Sequence, residues 1–283
     1  MKRRILLVFG VLLALSSCMD DSDDYPTMEE TIERDDKTIQ DFFTTNNIEN
    51  AIADESGVYI DIIEEGEGES PEEGGVVRVY YKYYSLPSNK LVAEVEDLTK
   101  WELEKTLQGL NIGIPYMKEG GVADIYIPCR YAFYGSTSPQ ANSVLRFRVT
   151  LNDYAETIEE MDDKIIQEYF VANEITNAIK DEESGVYIQH IAEGSGEDFP
   201  ETDSNITVKY ELYTIPNDEE IEKTDEAVTF NLGGLIKGWQ VGIPLMKKGG
   251  EAYLYIPSSQ AYRGTSNKIA NEVLKFKIDL LDF

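Results

Sequence analysis

The feature that most constrains this chain is that it contains one motif twice. Ile112 to Pro128 reads IGIPYMKEGGVADIYIP and Val241 to Pro257 reads VGIPLMKKGGEAYLYIP, identical at 11 of 17 positions at an offset of 129. Upstream, SGVYI occurs at Ser56–Ile60 and again at Ser184–Ile188. Further upstream, Lys37-Thr38-Ile39-Gln40-Asp41-Phe42-Phe43 is echoed by Lys164-Ile165-Ile166-Gln167-Glu168-Tyr169-Phe170. A repeat of this length is a duplicated domain, too long for a solenoid unit. Two such domains account for most of the 283 residues. The reading places the first over 36–154 and the second over 181–283, with a linker helix over 155–180 acting as a semi-rigid spacer.

Both copies follow one plan, clearer in the second. An amphipathic helix opens each. Thr157-Ile158-Glu159-Glu160 has the capping-box pattern, and Ile158, Met161, Ile165, Tyr169 and Phe170 fall on one helical stripe. Alternating runs rich in Val, Ile, Tyr and Phe then predict strands over Gly185–Ile191, Ile206–Ile215, Ala227–Leu232, Glu251–Pro257 and Glu272–Leu281. One helix, about Ile236–Met246, interrupts them. Pro244 removes a backbone donor there, so it should be short or irregular, and Gly249-Gly250 should end it. The fold class expected is therefore α+β: two tandem domains, each an antiparallel sheet wrapped over a short helix and each preceded by an amphipathic helix.

Composition narrows the chemistry. There are 54 acidic residues against 25 basic ones, a net charge of −29, which repels phosphate backbones and argues against nucleic-acid partners. Hydrophobic residues make up 42%, which excludes a wholly disordered chain. The only histidine, His190, sits in an alternating run and reads as a strand residue. It excludes multi-histidine metal sites and a Ser-His-Asp arrangement in the first half. Of two cysteines, Cys129 reads as an incidental thiol, and no intramolecular disulfide framework is expected.

The N-terminus reads as an address. Lys2-Arg3-Arg4 precedes an apolar run from Ile5 to Leu15, too short for a bilayer span of ~20 residues but fitting a signal-peptide core. Leu15-Ser16-Ser17-Cys18 resembles a bacterial lipobox. That resemblance implies removal of residues 1–17, lipid attachment at Cys18 and anchorage to the cell envelope, with an outer-membrane, periplasmic or surface-exposed location. Residues 18–35 read as an acidic tether. Its Met19-Asp20-Asp21-Ser22-Asp23-Asp24 is similar to the surface-export signal of Bacteroidetes lipoproteins, and a plain solvated spacer would look the same.

The second copy carries a longer pattern. Phe230-Asn231-Leu232-Gly233-Gly234-Leu235-Ile236-Lys237-Gly238-Trp239 leads to Gly242, Met246 and Gly249-Gly250, then Tyr255-Ile256-Pro257, Ala261-Tyr262-Arg263-Gly264 and Leu274-Lys275-Phe276. This order and spacing resembles the FKBP-type peptidyl-prolyl cis-trans isomerases. The resemblance implies isomerisation of X-Pro bonds in proline-containing extracytoplasmic proteins, without a cofactor. It further implies Trp239 as the floor under the proline ring, and Tyr210, Ile221, Phe230, Leu235 and Phe276 as walls. The Ile236 N–H and the Tyr262 hydroxyl would each meet a substrate carbonyl. Glu222 falls where the family carries an aspartate, and Ile269 where a further wall residue stands. Phe230 and Phe276 would also suit a plain core, and Glu222 an exposed strand edge.

The first copy keeps the framework but not the site. Leu110 replaces Trp239, Phe133 replaces Tyr262 and Trp101 replaces Phe230, while Tyr81 and Phe147 persist. The expectation is a degenerate first domain and activity in the second. The alternative is a peptide-binding, chaperone or surface-interaction lipoprotein on the same fold, since fold alone does not set function.

Overall fold

A computed structural model describes residues 26–266 and 268–283. Residues 1–17, read above as a signal segment, Cys18 and the aspartate run that follows it lie outside the described residues. The first repeat comprises α1 (Met28–Asn46), β1 (Ile52–Ala53), β2 (Tyr59–Glu64), β3 (Val76–Ser85), β4 (Lys90–Glu102), α2 (Gln108–Gly113), β5 (Val122–Ile127) and β6 (Leu145–Ala155). The second comprises α3 (Ile158–Ala172), β7 (Ile179–Lys180), β8 (Tyr187–Ala192), β9 (Asn205–Ile215), β10 (Glu219–Lys223), β11 (Val228–Asn231), α4 (Lys237–Gly242), β12 (Gly250–Ile256) and β13 (Val273–Asp282). The strands pair antiparallel in the orders β1-β2-β5-β6-β3-β4 and β7-β8-β12-β13-β9-β10, with β11 also on β9.

The period-two alternation of the strands builds both faces of each sheet. In the second repeat Ile188, Leu254, Ile256, Leu274 and Phe276 face α4, while Tyr187, Tyr255 and Val273 face α3. Gly238 and Gly242 let α4 lie directly on the sheet, because a Cβ at either would collide with the side chains of Ile256 and Leu254. As Pro244 implied, α4 stops after six residues and continues as a 3-10 turn, Ile243–Leu245. The fold class is as expected.

Two expectations about the helices are corrected. The stretch assigned to the tether is already helical from Met28, because Thr27 and Glu30 form a capping box. It is the same Thr-x-x-Glu signature that α3 carries at Thr157–Glu160. Nor is α3 a spacer. It ends at Ala172, and its buried stripe (Ile158, Met161, Ile165, Tyr169, Phe170, with Ile166) covers the second face of its own sheet and reaches Val76 and Ala155 of the first repeat in one apolar cluster. Arg78, 4% exposed on β3, donates both Nη atoms to Glu168 of α3 at 2.7 Å and also pairs with Asp153. The two repeats are thus docked through α3 by apolar and ionic contacts together.

β10 has no counterpart among the predicted strands, since Glu-Glu-Ile-Glu-Lys carries no apolar alternation. It is exposed along its length and pairs with β9 alone. Among the described residues no helix is long and apolar enough to cross a membrane.

Candidate active site

Trp239 sits in the first turn of α4, 4% exposed. The N-cap residue Ile236 orients this turn; its carbonyl accepts from the Trp239 and Gln240 N–H groups at 3.1 and 3.3 Å. Three rings stand nearly perpendicular to the indole. Tyr210 of β9 is 5.3 Å away at 86°, Phe276 of β13 is 5.2 Å away at 85°, and Phe230 of β11 is 6.3 Å away at 80°. Edge-to-face contact is the favoured geometry for aromatic pairs, so the cluster holds its shape without a ligand. The indole N–H is buried and finds no acceptor within the described protein.

Over this indole lies a cavity of about 270 Å³. Tyr210, Phe230, Trp239 and Phe276 line it, together with Leu235, Ile236, Glu222 and Tyr262. Eight of the ten residues named from the sequence therefore converge on one space. Gly234 also lines it, a position the Leu-Gly-Gly motif could have indicated. A larger cavity of about 500 Å³ lies along α3, but Glu159, Glu160, Asp163, Lys164, Glu168 and Lys180 contribute charged walls there. No aromatic side chain lines it.

Ile221 and Ile269 are the exceptions, and Ile221 is the more telling. It is the extra residue of a β-bulge, since Glu220 pairs with Tyr213 and Glu222 with Leu212. It stands 40% exposed and lines no part of the cavity. Ile269, 6% exposed, belongs to the core cluster and not to the wall.

The polar groups are few. Glu222 lies on the exposed edge strand, yet its carboxylate turns into the cavity and accepts the Tyr210 hydroxyl at 2.6 Å. Burial, then the bond to Glu222, holds the Tyr210 phenol above the usual tyrosine range. Burial, then the Glu222 charge, raises Tyr262 as well. Both phenols therefore keep their protons at neutral pH and remain donors.

The corresponding place in the first repeat is built differently. Val77 pairs with Trp101 as Ile206 pairs with Phe230, so the ladder confirms the substitution. Leu110, 2% exposed, occupies the floor. Trp101 closes to 4.6 Å from Tyr81, where Phe230 stands 6.4 Å from Tyr210, and Tyr83 stacks on Phe147 at 4.7 Å and 9°. Phe133 packs against the core and offers no hydroxyl. Cys129 is buried, and burial pushes its thiol up to about 11.

Comparison with known proteins adds the following. The family model for FKBP-type peptidyl-prolyl cis-trans isomerase matches residues 67–152 and 196–281. The chain is 36% identical over 114 residues to a probable FKBP-type peptidyl-prolyl cis-trans isomerase, FkpA, of Neisseria meningitidis, covering 38% of this chain and 42% of that protein. It is 36% identical over 107 residues to FK506-binding protein 1 of Saccharomyces cerevisiae, covering 35% of this chain and 93% of that one. The crystal structure of FkpA from Escherichia coli aligns with a TM-score of 0.37 at 26% identity, over 44% of this chain and 62% of that one. The match thus spans less than half the Neisseria protein and nearly all of the yeast protein.

Proposed function

Because the chain belongs to the FKBP-type peptidyl-prolyl cis-trans isomerase family, we propose that its second repeat accelerates rotation about X-Pro bonds and that its first repeat does not. Amide resonance sets a barrier of ~20 kcal/mol to this rotation. No bond is broken and no proton need move. A catalyst has only to bind the twisted amide better than either planar isomer.

The single observation that carries the reading is the indole of Trp239 at the base of a cavity with three edge-on rings. A proline ring set on that floor is removed from water, which disfavours the charge-separated resonance form and so weakens the partial double bond. Ile236 lines the cavity, and its N–H is the donor this reading assigns to a substrate carbonyl. The Tyr262 hydroxyl serves a second substrate carbonyl. Glu222 orients Tyr210 through the 2.6 Å bond. The first repeat, with Leu110 and Phe133 in place of floor and hydroxyl, is read as a non-catalytic copy.

Substrates would be folding proteins with exposed prolines, met outside the cytoplasm if Cys18 carries the lipid its context implies. Isomerisation of a proline-containing peptide, measured on the whole chain, tests the reading. Activity abolished by Trp239→Ala in a chain that still folds supports it. Equal activity of wild type and Trp239→Ala removes it. Metabolic labelling with a fatty acid, lost on Cys18→Ala, tests the anchor.

A further inference from the structure

The loop that carries Tyr262 is tied to the first repeat at two points, directly at Arg263 and at Ser258 through Asp162 of α3. It opens at the 3-10 turn Ser258–Gln260, directly after Pro257. Ser258 is fully buried and donates its N–H and its hydroxyl to one carboxylate oxygen of Asp162, at 2.8 and 2.6 Å. Asp162, on α3, is itself 0% exposed, and its other oxygen pairs with Lys100 of β4. At the other end Arg263, adjacent to Tyr262, donates to Glu102 Oε2 at 2.8 Å, with Glu159 at 3.5 Å. Lys100 and Glu102 are two residues apart on one strand and so share a face.

The duplication supplies an internal control. In the first repeat Asp35 stands where Asp162 does, and it accepts the N–H of Cys129, the counterpart of Ser258, at 2.8 Å. Its countercharge is Arg34 of its own helix, at 2.6 Å. In the second repeat the Arg34 position is Met161, fully buried. The positions of Lys100 and Glu102 become Thr229 and Asn231, and Arg263 replaces Tyr134. A buried carboxylate needs a cation partner. Asp35 has one within its own domain, whereas Asp162 takes Lys100 from the neighbouring domain.

We propose that the first repeat is a positioning module for the second: Lys100 and Glu102 set the loop that places the Tyr262 hydroxyl over the cavity. This rests on the isomerase reading above. Lys100, Glu102 and Arg263 act through the loop as positioning residues and touch no substrate. The proposal gives the copy that lacks floor and hydroxyl a task, and it explains why α3 is clamped between two sheets.

The test uses the whole chain. Amide hydrogen exchange of residues 258–265 and peptide isomerisation are measured for wild type, Lys100→Met, Lys100→Arg and Glu102→Gln. Lys100→Met and Glu102→Gln are expected to speed exchange in the loop about three- to tenfold, leaving β12 and β13 unchanged. They should lower kcat/KM by about three- to tenfold, through kcat with KM held. Lys100→Arg, which keeps the charge, should retain wild-type values in both. Glu102→Gln, at a partly exposed pair, keeps the test readable should Lys100→Met fail to fold. Unchanged loop exchange in the folded variants overturns the proposal whether or not the chain isomerises. A loosened loop with unaltered kcat overturns its catalytic half. An inert wild type whose loop still loosens in the variants strikes the isomerase reading and leaves the tie standing.

Discussion

Phe276 meets the indole of Trp239 edge to face, at 5.2 Å and 85°. Leu254, the neighbour of Phe276 in the β12–β13 ladder, lies beneath α4 at Gly242. One ladder register therefore sets both the depth of the helix and the ring that walls its tryptophan. The counterpart pair in the first repeat is Leu110 and Phe147, where no indole exists to be walled. Differences in activity between the two repeats should follow from this place.

Replacing Trp239 by leucine makes the second floor resemble the first. We expect kcat/KM for a proline peptide to fall at least about tenfold, since the interaction lost is one that favours the twisted amide. Stability should fall by about 2–4 kcal/mol, as for other truncations of a buried large side chain. Denaturant unfolding beside the activity assay separates the two effects. Full activity in a folded variant would show that the indole is not the floor.

Tyr262→Phe removes one hydroxyl and reproduces the Phe133 of the first repeat. A single hydrogen bond made to the substrate is worth about 1 kcal/mol, so a loss of about three- to tenfold in kcat/KM is expected. The thermal midpoint should hardly move, because that hydroxyl has no protein partner among the described residues.

Tyr210→Phe and Glu222→Ala remove the same 2.6 Å contact from opposite sides. A double-mutant cycle should therefore give a coupling energy of about 0.5–1.5 kcal/mol in stability, reduced from a buried charged pair because Glu222 is exposed. Strict additivity would mean the contact does not exist in solution.

Burial first, with Glu222 adding to it, keeps Tyr210 and Tyr262 protonated above the ordinary tyrosine value. The catalytic rate should then be flat between about pH 6 and pH 9, with no ionisation in the range where histidine or an activated thiol would titrate. A midpoint near neutrality would require a group outside the cavity.

Glu102 sets a limit at lower pH. Burial alone would raise its carboxyl, but the bonds from Lys105 and Arg263 hold it below the usual glutamate value. A lowered folded-state pKa contributes stability that is present above about pH 4.5 and is lost as pH falls through the folded value. Acid titration should therefore loosen the Arg263 contact before it disturbs the neutral aromatic cluster. The hydrogen exchange of Arg263 followed against pH checks this order.

Much of this protein was legible in the sequence. The duplication, the strand alternation, the short helix broken at Pro244 and eight of the nine cavity residues followed from local pattern and from one family resemblance. Such signals are carried by residues close in the chain, where backbone propensity and side-chain period act directly. What escaped was of another kind. The outward turn of Ile221 depends on a bulge in an edge strand whose polar sequence has no alternation to reveal it. The clamping of α3, and the pairing of Lys100 with Asp162 and of Glu102 with Arg263, join residues 62 and 161 positions apart. No local period records which of the chain's many charges will meet. That choice was made when two sheets closed on one helix and left a buried carboxylate in reach of a lysine from the other domain.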